Sequence, residues 1–183
     1  FTNYGSTIDV GRDAVIQDQR DVQEISFNDV GYWSSKTIYG KAQADAVGQF
    51  MADLTVKNRQ LTGTIQNDFP YEFKELFIWS GNEKIMLGEV KAGETIQVKE
   101  ELKQQWLTAP TGGHYAGMNP YQQTDLNQLK TERLEYAASM YLLQGSFNQP
   151  VIGGVTEDEI VDVQMKGKNS KENNLHMILS PFD

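Results

Sequence analysis

A chain of 183 residues can bury a substantial core, and its 39% hydrophobic and 10% aromatic content sets it apart from disordered sequences. Its 16 Lys and Arg against 25 Asp and Glu leave a formal net charge of −9, which argues against duplex nucleic acid or an anionic membrane surface as partners, since binding either normally requires a basic patch and none is visible in the sequence. The absence of cysteine removes disulfide frameworks, thiolate metal sites and cysteine nucleophiles together.

The first stretch, 1–45, is the least regular. Thr7–Val10, Ala14–Ile16 and Glu24–Phe27 are short strand candidates broken by Gly5 and Gly11, with Asp18, Arg20 and Asp21 as a solvated segment. Lys36-Thr-Ile38 is a further strand candidate between Trp33 and Tyr39. Tyr32, Trp33 and Tyr39 could form a stacking platform for sugar rings, although buried core aromatics are the commoner arrangement.

From Phe50 to Val98 the pattern sharpens. Phe50, Ala52, Leu54 and Val56 alternate with Met51, Asp53, Thr55 and Lys57, the period of a half-buried strand. Asn58-Arg-Gln60 is a hairpin-sized interruption before Leu61, Gly63 and Ile65 resume the alternation. Asn67-Asp-Phe-Pro70 is a turn, Glu75–Trp79 a third strand, and Ser80–Glu83 a second hairpin turn before Ile85 and Leu87. Gly88 to Gly93 brackets a polar corner that leads into Thr95–Val98. Strands this close together leave no room for crossover helices, so the spacing predicts an antiparallel sandwich.

The cadence Leu61-Thr-Gly-Thr-Ile-Gln-Asn67, Leu76-Phe-Ile-Trp79 and Leu87-Gly-Glu-Val-Lys-Ala-Gly-Glu94, followed by Ile96 and Val98, resembles the immunoglobulin-like sandwich domains of bacterial cell-envelope proteins. In those domains a strand ends at a turn asparagine, and a Leu-Gly-x-x-x-Ala-Gly-Glu corner opens the next strand. The resemblance covers about a quarter of the chain. It implies an extracytoplasmic, membrane-anchored, non-catalytic scaffold, and its motif positions are structural, so no functional residues carry over.

After Val98, Glu100–Leu107 reads as a short helix with Leu102 and Trp106 on one face. Thr108–Pro120 is a long breaker-rich connection. Gly112, Gly113 and Gly117 around His114 lack the Lys-Ser/Thr and the preceding strand of a phosphate loop. Thr124 or Asp125 caps a helix running to about Gln144, whose stripe of Leu126, Leu129, Leu134, Ala137, Ala138, Tyr141 and Leu142 is expected to pack on the sandwich. Met140 and Leu143 fall off that stripe and are the candidate contacts for a protein partner. Pro150–Gly154, Ile160–Met165 and Leu175–Leu179 return to strands.

The expected fold is mainly β: a single antiparallel immunoglobulin-like β-sandwich over 1–183, with 1–45 as its N-terminal part and a helical insertion over roughly 100–145, or 100–149 with its loop. Glu157, Asp158 and Asp162, with Glu159, form the densest acidic cluster, yet lack the spacing of a calcium loop; a solvated turn is the commoner reading. His114 and His176 make too few ligands for zinc, and His176 is expected on the exposed side of its strand. No G-x-S-x-G, H-E-x-x-H or G-x-G-x-x-G pattern occurs. We therefore expect no catalytic residue, no cofactor and no nucleic-acid partner, and a protein partner at the bacterial cell surface or envelope. Membrane contact would come only through segments outside this chain, since Phe1 is no initiator and Asp183 ends abruptly, as in a piece of a longer protein. A carbohydrate-binding module using Trp33, Trp79 or Trp106 is the alternative, and a glycoside or ester hydrolase with two close acids the third.

Overall fold

A computed structural model describes residues 8–9, 14–19, 22–27, 39–40, 47–111, 126–141, 148–160 and 174–183. The chain divides into two compact units, Phe1–Ala46 and Val47–Asp183. In the first, β1 (Ile8–Asp9) pairs antiparallel with β4 (Tyr39–Gly40), and β2 (Ala14–Gln19) with β3 (Val22–Phe27). Gln19 stands opposite Val22 at one end of the β2–β3 ladder, and Ala14 opposite Phe27 at the other.

The second unit is an antiparallel β-sandwich. One sheet has the order β5 (Phe50–Lys57), β6 (Gln60–Asn67), β9 (Thr95–Glu101). The other runs β11 (His176–Pro181), β10 (Val151–Thr156), β7 (Phe73–Ser80), β8 (Glu83–Val90). The helix α1 (Leu126–Tyr141) lies between β9 and β10 in the chain. Phe50, Leu61, Ile65 and Val98 from the first sheet share one core with Phe73, Leu76, Ile78, Ile85, Val90 and Ile152 from the second, and Ile178 and Phe182 pack against it. Strands before and after the helix thus line one interior, which makes the helical segment an insertion. Within that core Phe50, Phe69 and Phe73 form an aromatic trio with ring centroids 5.0 to 5.7 Å apart.

The two sheets differ in how many faces they bury. Along β5, Phe50, Leu54 and Val56 turn inward while Met51, Asp53, Thr55 and Lys57 are exposed, because the outer face of this sheet meets water. In β7 every residue from Leu76 to Ser80 is buried, and in β10 every residue from Val151 to Thr156 is. Phe77, Trp79, Val151 and Val155 point away from the sandwich interior into a second apolar cluster, which Ala138 of α1 joins with Leu175, Met177 and Leu179. Apolar residues in succession, as in Phe77-Ile-Trp79, are what a strand covered on both faces requires. The pair Gly153-Gly154 makes room for this: a Cβ would fall 2.3 Å from the Phe77 ring at Gly153 and 2.4 Å from the Phe73 ring at Gly154.

Two local features depart from the sequence expectation. The first hairpin loop is the dipeptide Asn58-Arg59, both left-handed with φ of 52° and 63°, the geometry that matches the strand twist. Glu100 and Glu101 continue β9 instead of starting a helix: they pair with Leu61 and Gln60, and Leu102 is buried with its N–H on the Arg59 carbonyl at 2.7 Å. Ladder bonds and burial of Leu102 outweigh a helix preference worth only tenths of a kcal/mol per residue (about 0–0.7). The segment after it is irregular, and Trp106 is exposed while Leu102 is not.

Candidate functional site

The most organised polar group of the sandwich lies under α1. Lys84 of β8 stands opposite Trp79 on the face that the helix covers. Its ammonium pairs with the Glu135 carboxylate, has Glu75 Oε2 at 3.5 Å, and sits 4.3 Å from the centre of the Phe77 ring. The side chains of Lys84 and Glu135 are only 10% and 6% exposed, so water screens this pair little. Two carboxylates and an aromatic face around one cation form a satisfied cluster, in which Glu135 ties the helix to the sheet.

Glu135 shifts the packing of the helix from the expected stripe, of which the side chains of Leu126, Leu129 and Tyr141, and Leu142 altogether, lie outside the described residues. Glu135 is buried, Thr131, Glu132, Leu134 and Ala138 are half-buried, and Ala137, which the apolar stripe placed inward, is exposed. The inward side is therefore centred on Glu135, about one residue around the helix from the side that hydrophobic spacing selects. The outward side presents Lys130, Arg133, Tyr136 and Ala137, with Tyr136 54% exposed. The sequence did not reveal Lys84 and Glu135, which lie 51 positions apart on a strand and a helix with no shared local pattern. A charged residue facing the same way as Phe77 and Trp79 was the only signal available.

A second polar centre is the corner foreseen in the resemblance. Asn67 is fully buried: its Nδ2 donates to the carbonyls of Tyr71 (2.8 Å) and Lys91 (3.0 Å), and its Oδ1 accepts from the Phe69 N–H (3.0 Å). Its backbone donates to the Glu94 carbonyl and accepts from the Gly93 N–H, so this residue joins the turn after β6 to the corner before β9. Glu94 Oε2 accepts from the Lys91 N–H at 2.7 Å. Nearby on the surface, a hydrogen bond from Lys74 at 2.7 Å holds the Glu72 carboxyl below the usual glutamate range and raises Lys74 in turn.

Of the acidic cluster, Glu157, Asp158 and Glu159 are exposed, and Asp162 lies outside the described residues. Asp158 is engaged in structure: its carboxylate accepts from the Glu72 N–H at 2.9 Å and its own N–H donates to Thr156 Oγ1 at 3.0 Å. Among the described residues no three His, Asp or Glu side chains come together in a way that could hold a metal. Tyr32, Trp33, His114 and Leu143 lie outside the described residues, as do the side chains of Tyr39 and Met140, whose backbones belong to β4 and α1. His176, expected on an exposed strand face, is half-buried on the side of Ile178, with Nε2 buried and without a hydrogen-bond partner among the described residues. The reason is again that β11 belongs to a sheet covered on both faces.

Trp79 is buried in the cluster under α1 and is no surface platform, whereas Trp106 is 64% exposed. The segment that carries Trp106 is tied to the β7–β8 hairpin end. Thr108 N–H donates to Ser80 Oγ at 2.8 Å, Gly81 N–H to the Thr108 carbonyl at 3.3 Å and Thr111 N–H to the Gly81 carbonyl at 2.8 Å. Lys103 N–H reaches Glu83 Oε2 at 3.2 Å. An indole is thus held toward solvent on backbone fixed at both ends.

No curated protein and no solved structure matches the chain. A family of domains does match, over residues 49–183, the span that begins just before β5 and takes in both sheets of the sandwich and α1. The chain belongs to that family, described as a domain of unknown function (DUF8725).

Proposed function

We propose that the Val47–Asp183 unit is an immunoglobulin-like, non-catalytic interaction and scaffolding domain of an extracytoplasmic bacterial protein. Support for the immunoglobulin-like reading comes from strand order. In such sandwiches the first, second and fifth strands oppose the third, sixth and seventh. Here β5, β6 and β9 oppose β7, β10 and β11, with the fourth strand, β8, added beside the third. The corner built on Asn67 and Lys91–Glu94 occupies the positions that carry the envelope-protein resemblance, and its side chains are engaged in backbone hydrogen bonds.

The observation that carries the interaction reading is the mounting of α1. Its acid Glu135 is used inward, while Arg133 and Tyr136, residue types that dominate binding energy at protein interfaces, face outward on a helix fixed to a sheet. A site-specific photo-crosslinker at position 136 of the full-length protein in its own cells tests this, with position 53 on the wet face of β5 as control. One adduct from 136 that Arg133→Glu abolishes supports the reading; equal capture from both positions, or none, overturns it. Fusion to a reporter active only outside the cytoplasm tests the location. Turnover on a broad glycoside and ester panel, lost when an implicated acid is replaced, would overturn the non-catalytic assignment.

A second reading, recognition of an envelope glycan, is favoured by Trp106, since an exposed indole on fixed backbone suits the apolar face of a sugar ring. A saturable change of tryptophan emission with soluble envelope glycans, absent in Trp106→Ala, would support it.

A further inference from the structure

The helix has two competing ways to lie on the sheet. Its sequence offers an apolar stripe containing Leu134, Ala137, Ala138 and Tyr141, which burial of apolar area alone would turn inward. The sheet face beneath it, built of Phe77, Trp79, Val151 and Val155, is apolar and without direction, so it would accept that setting. Yet Glu135 is the buried residue and Ala137 is exposed. The difference is a turn of about 100° around the helix axis, the step of one residue. Among the described residues, Lys84 is the basic group of this sheet face that meets the helix: packed over Phe77, its ammonium pairs with a carboxylate from the helix in addition to Glu75, which favours one setting over the other.

We propose that the buried Lys84–Glu135 pair is an orientation lock, which selects the setting of α1 that its hydrophobic pattern disfavours and thereby decides which side chains the helix presents outward. A buried ion pair adds little net stability over apolar residues of similar size, so its effect is directional: breaking it releases the choice of face without removing the driving force for docking. With the lock closed, Arg133, Tyr136 and Ala137 face solvent; with it open, Ala137 turns under the helix and Glu132 turns out. This inference stands whether or not α1 is the element that meets a partner.

The chain has no cysteine, so single introduced thiols report the setting cleanly. In the otherwise native chain a thiol from Ala137→Cys should react with a maleimide close to the rate of a free thiol, and one from Glu132→Cys more slowly. Adding Lys84→Met with Glu135→Gln, which leaves a polar residue facing an apolar sheet, should slow position 137 at least tenfold and quicken position 132, with helical circular dichroism retained. The exchange Lys84→Glu with Glu135→Lys should restore the native pattern. Position 137 staying fast in the Lys84→Met/Glu135→Gln chain, whether because the helix keeps its setting or because it detaches, would overturn the proposal. If that chain fails to fold, Glu135→Gln alone is read by the same two rates and the same criterion.

Discussion

Replacing Asn67 with alanine removes one side chain from the interior and three hydrogen bonds from backbone that has few alternatives. The three losses are unequal. The Phe69 N–H is buried and would be orphaned, a cost of about 1–3 kcal/mol, whereas the partly buried Tyr71 carbonyl loses about 1 kcal/mol. The Lys91 carbonyl still accepts from Glu94 N–H at 3.1 Å and loses little. The sum is about 3 kcal/mol, and with a urea m-value of about 2 kcal/mol/M the midpoint should fall by about 1.5 M at unchanged m. Asn67→Asp separates the terms, because it keeps an acceptor for Phe69 N–H but turns a second oxygen toward two carbonyl oxygens. Burial and those oxygens would raise the aspartate's folded pKa above its unfolded value. Its destabilisation should therefore be smallest below the unfolded pKa and grow as pH rises through the folded one. A midpoint shift under about 0.5 M for Asn67→Ala, or an Asn67→Asp defect that is the same at all pH values, would refute the view that this amide joins the two corners.

Three further outcomes follow from the packing and charges. Gly63 in β6 has φ of +142° and a Cβ there would lie 1.9 Å from the Asp53 carbonyl oxygen, so Gly63→Ala strains backbone against backbone. Gly154→Ala first meets side-chain rings, those of Phe73 and Phe50, and should cost about 1–3 kcal/mol; thermal melts should rank Gly63→Ala as the more damaging. Glu135→Ala leaves Lys84 with Glu75 as its acid partner among the described residues, and a loss of about 2–3 kcal/mol is expected in urea unfolding, below the full cost of an unpaired charge because Glu75 remains. Glu72, held low by Lys74, favours folding above its ordinary pKa of 4.5, an effect lost as pH falls through the lower folded value. A carboxyl-carbon NMR titration should show Glu72 below its ordinary value in the native chain and returned toward it in Lys74→Ala.

Much of the sandwich was legible because one of its sheets obeys a two-sided rule. Where the outer face is wet, as along β5, alternation of Phe50, Leu54 and Val56 with polar residues states the strand, its register and its inward side together. The turn chemistry of Asn58, Asn67, Gly81 and Gly93 marked the reversals correctly for the same reason, since left-handed φ or a side-chain cap at a turn is a local requirement. The second sheet was harder. Phe77-Ile-Trp79 and Val151-Ile-Gly-Gly-Val155 carry no alternation, so the sequence announces strands there without saying what lies on either side.

What the sequence determined by itself was the class of fold, antiparallel strands interrupted by one helical insertion, because strand period, turn residues and helix formers act over a few neighbours. What only the tertiary structure decided was the content of the space between insertion and sheet. There Glu135 faced inward in place of Ala137; elsewhere in the sandwich His176 became half-buried and Glu101 stayed in a strand. Each of these outcomes depends on a partner distant in the chain, and for α1 a single buried charge on Lys84 outweighs the apolar pattern of a whole helix face, because the electrostatic demand of a desolvated ammonium is specific to one position while burial of apolar area is not.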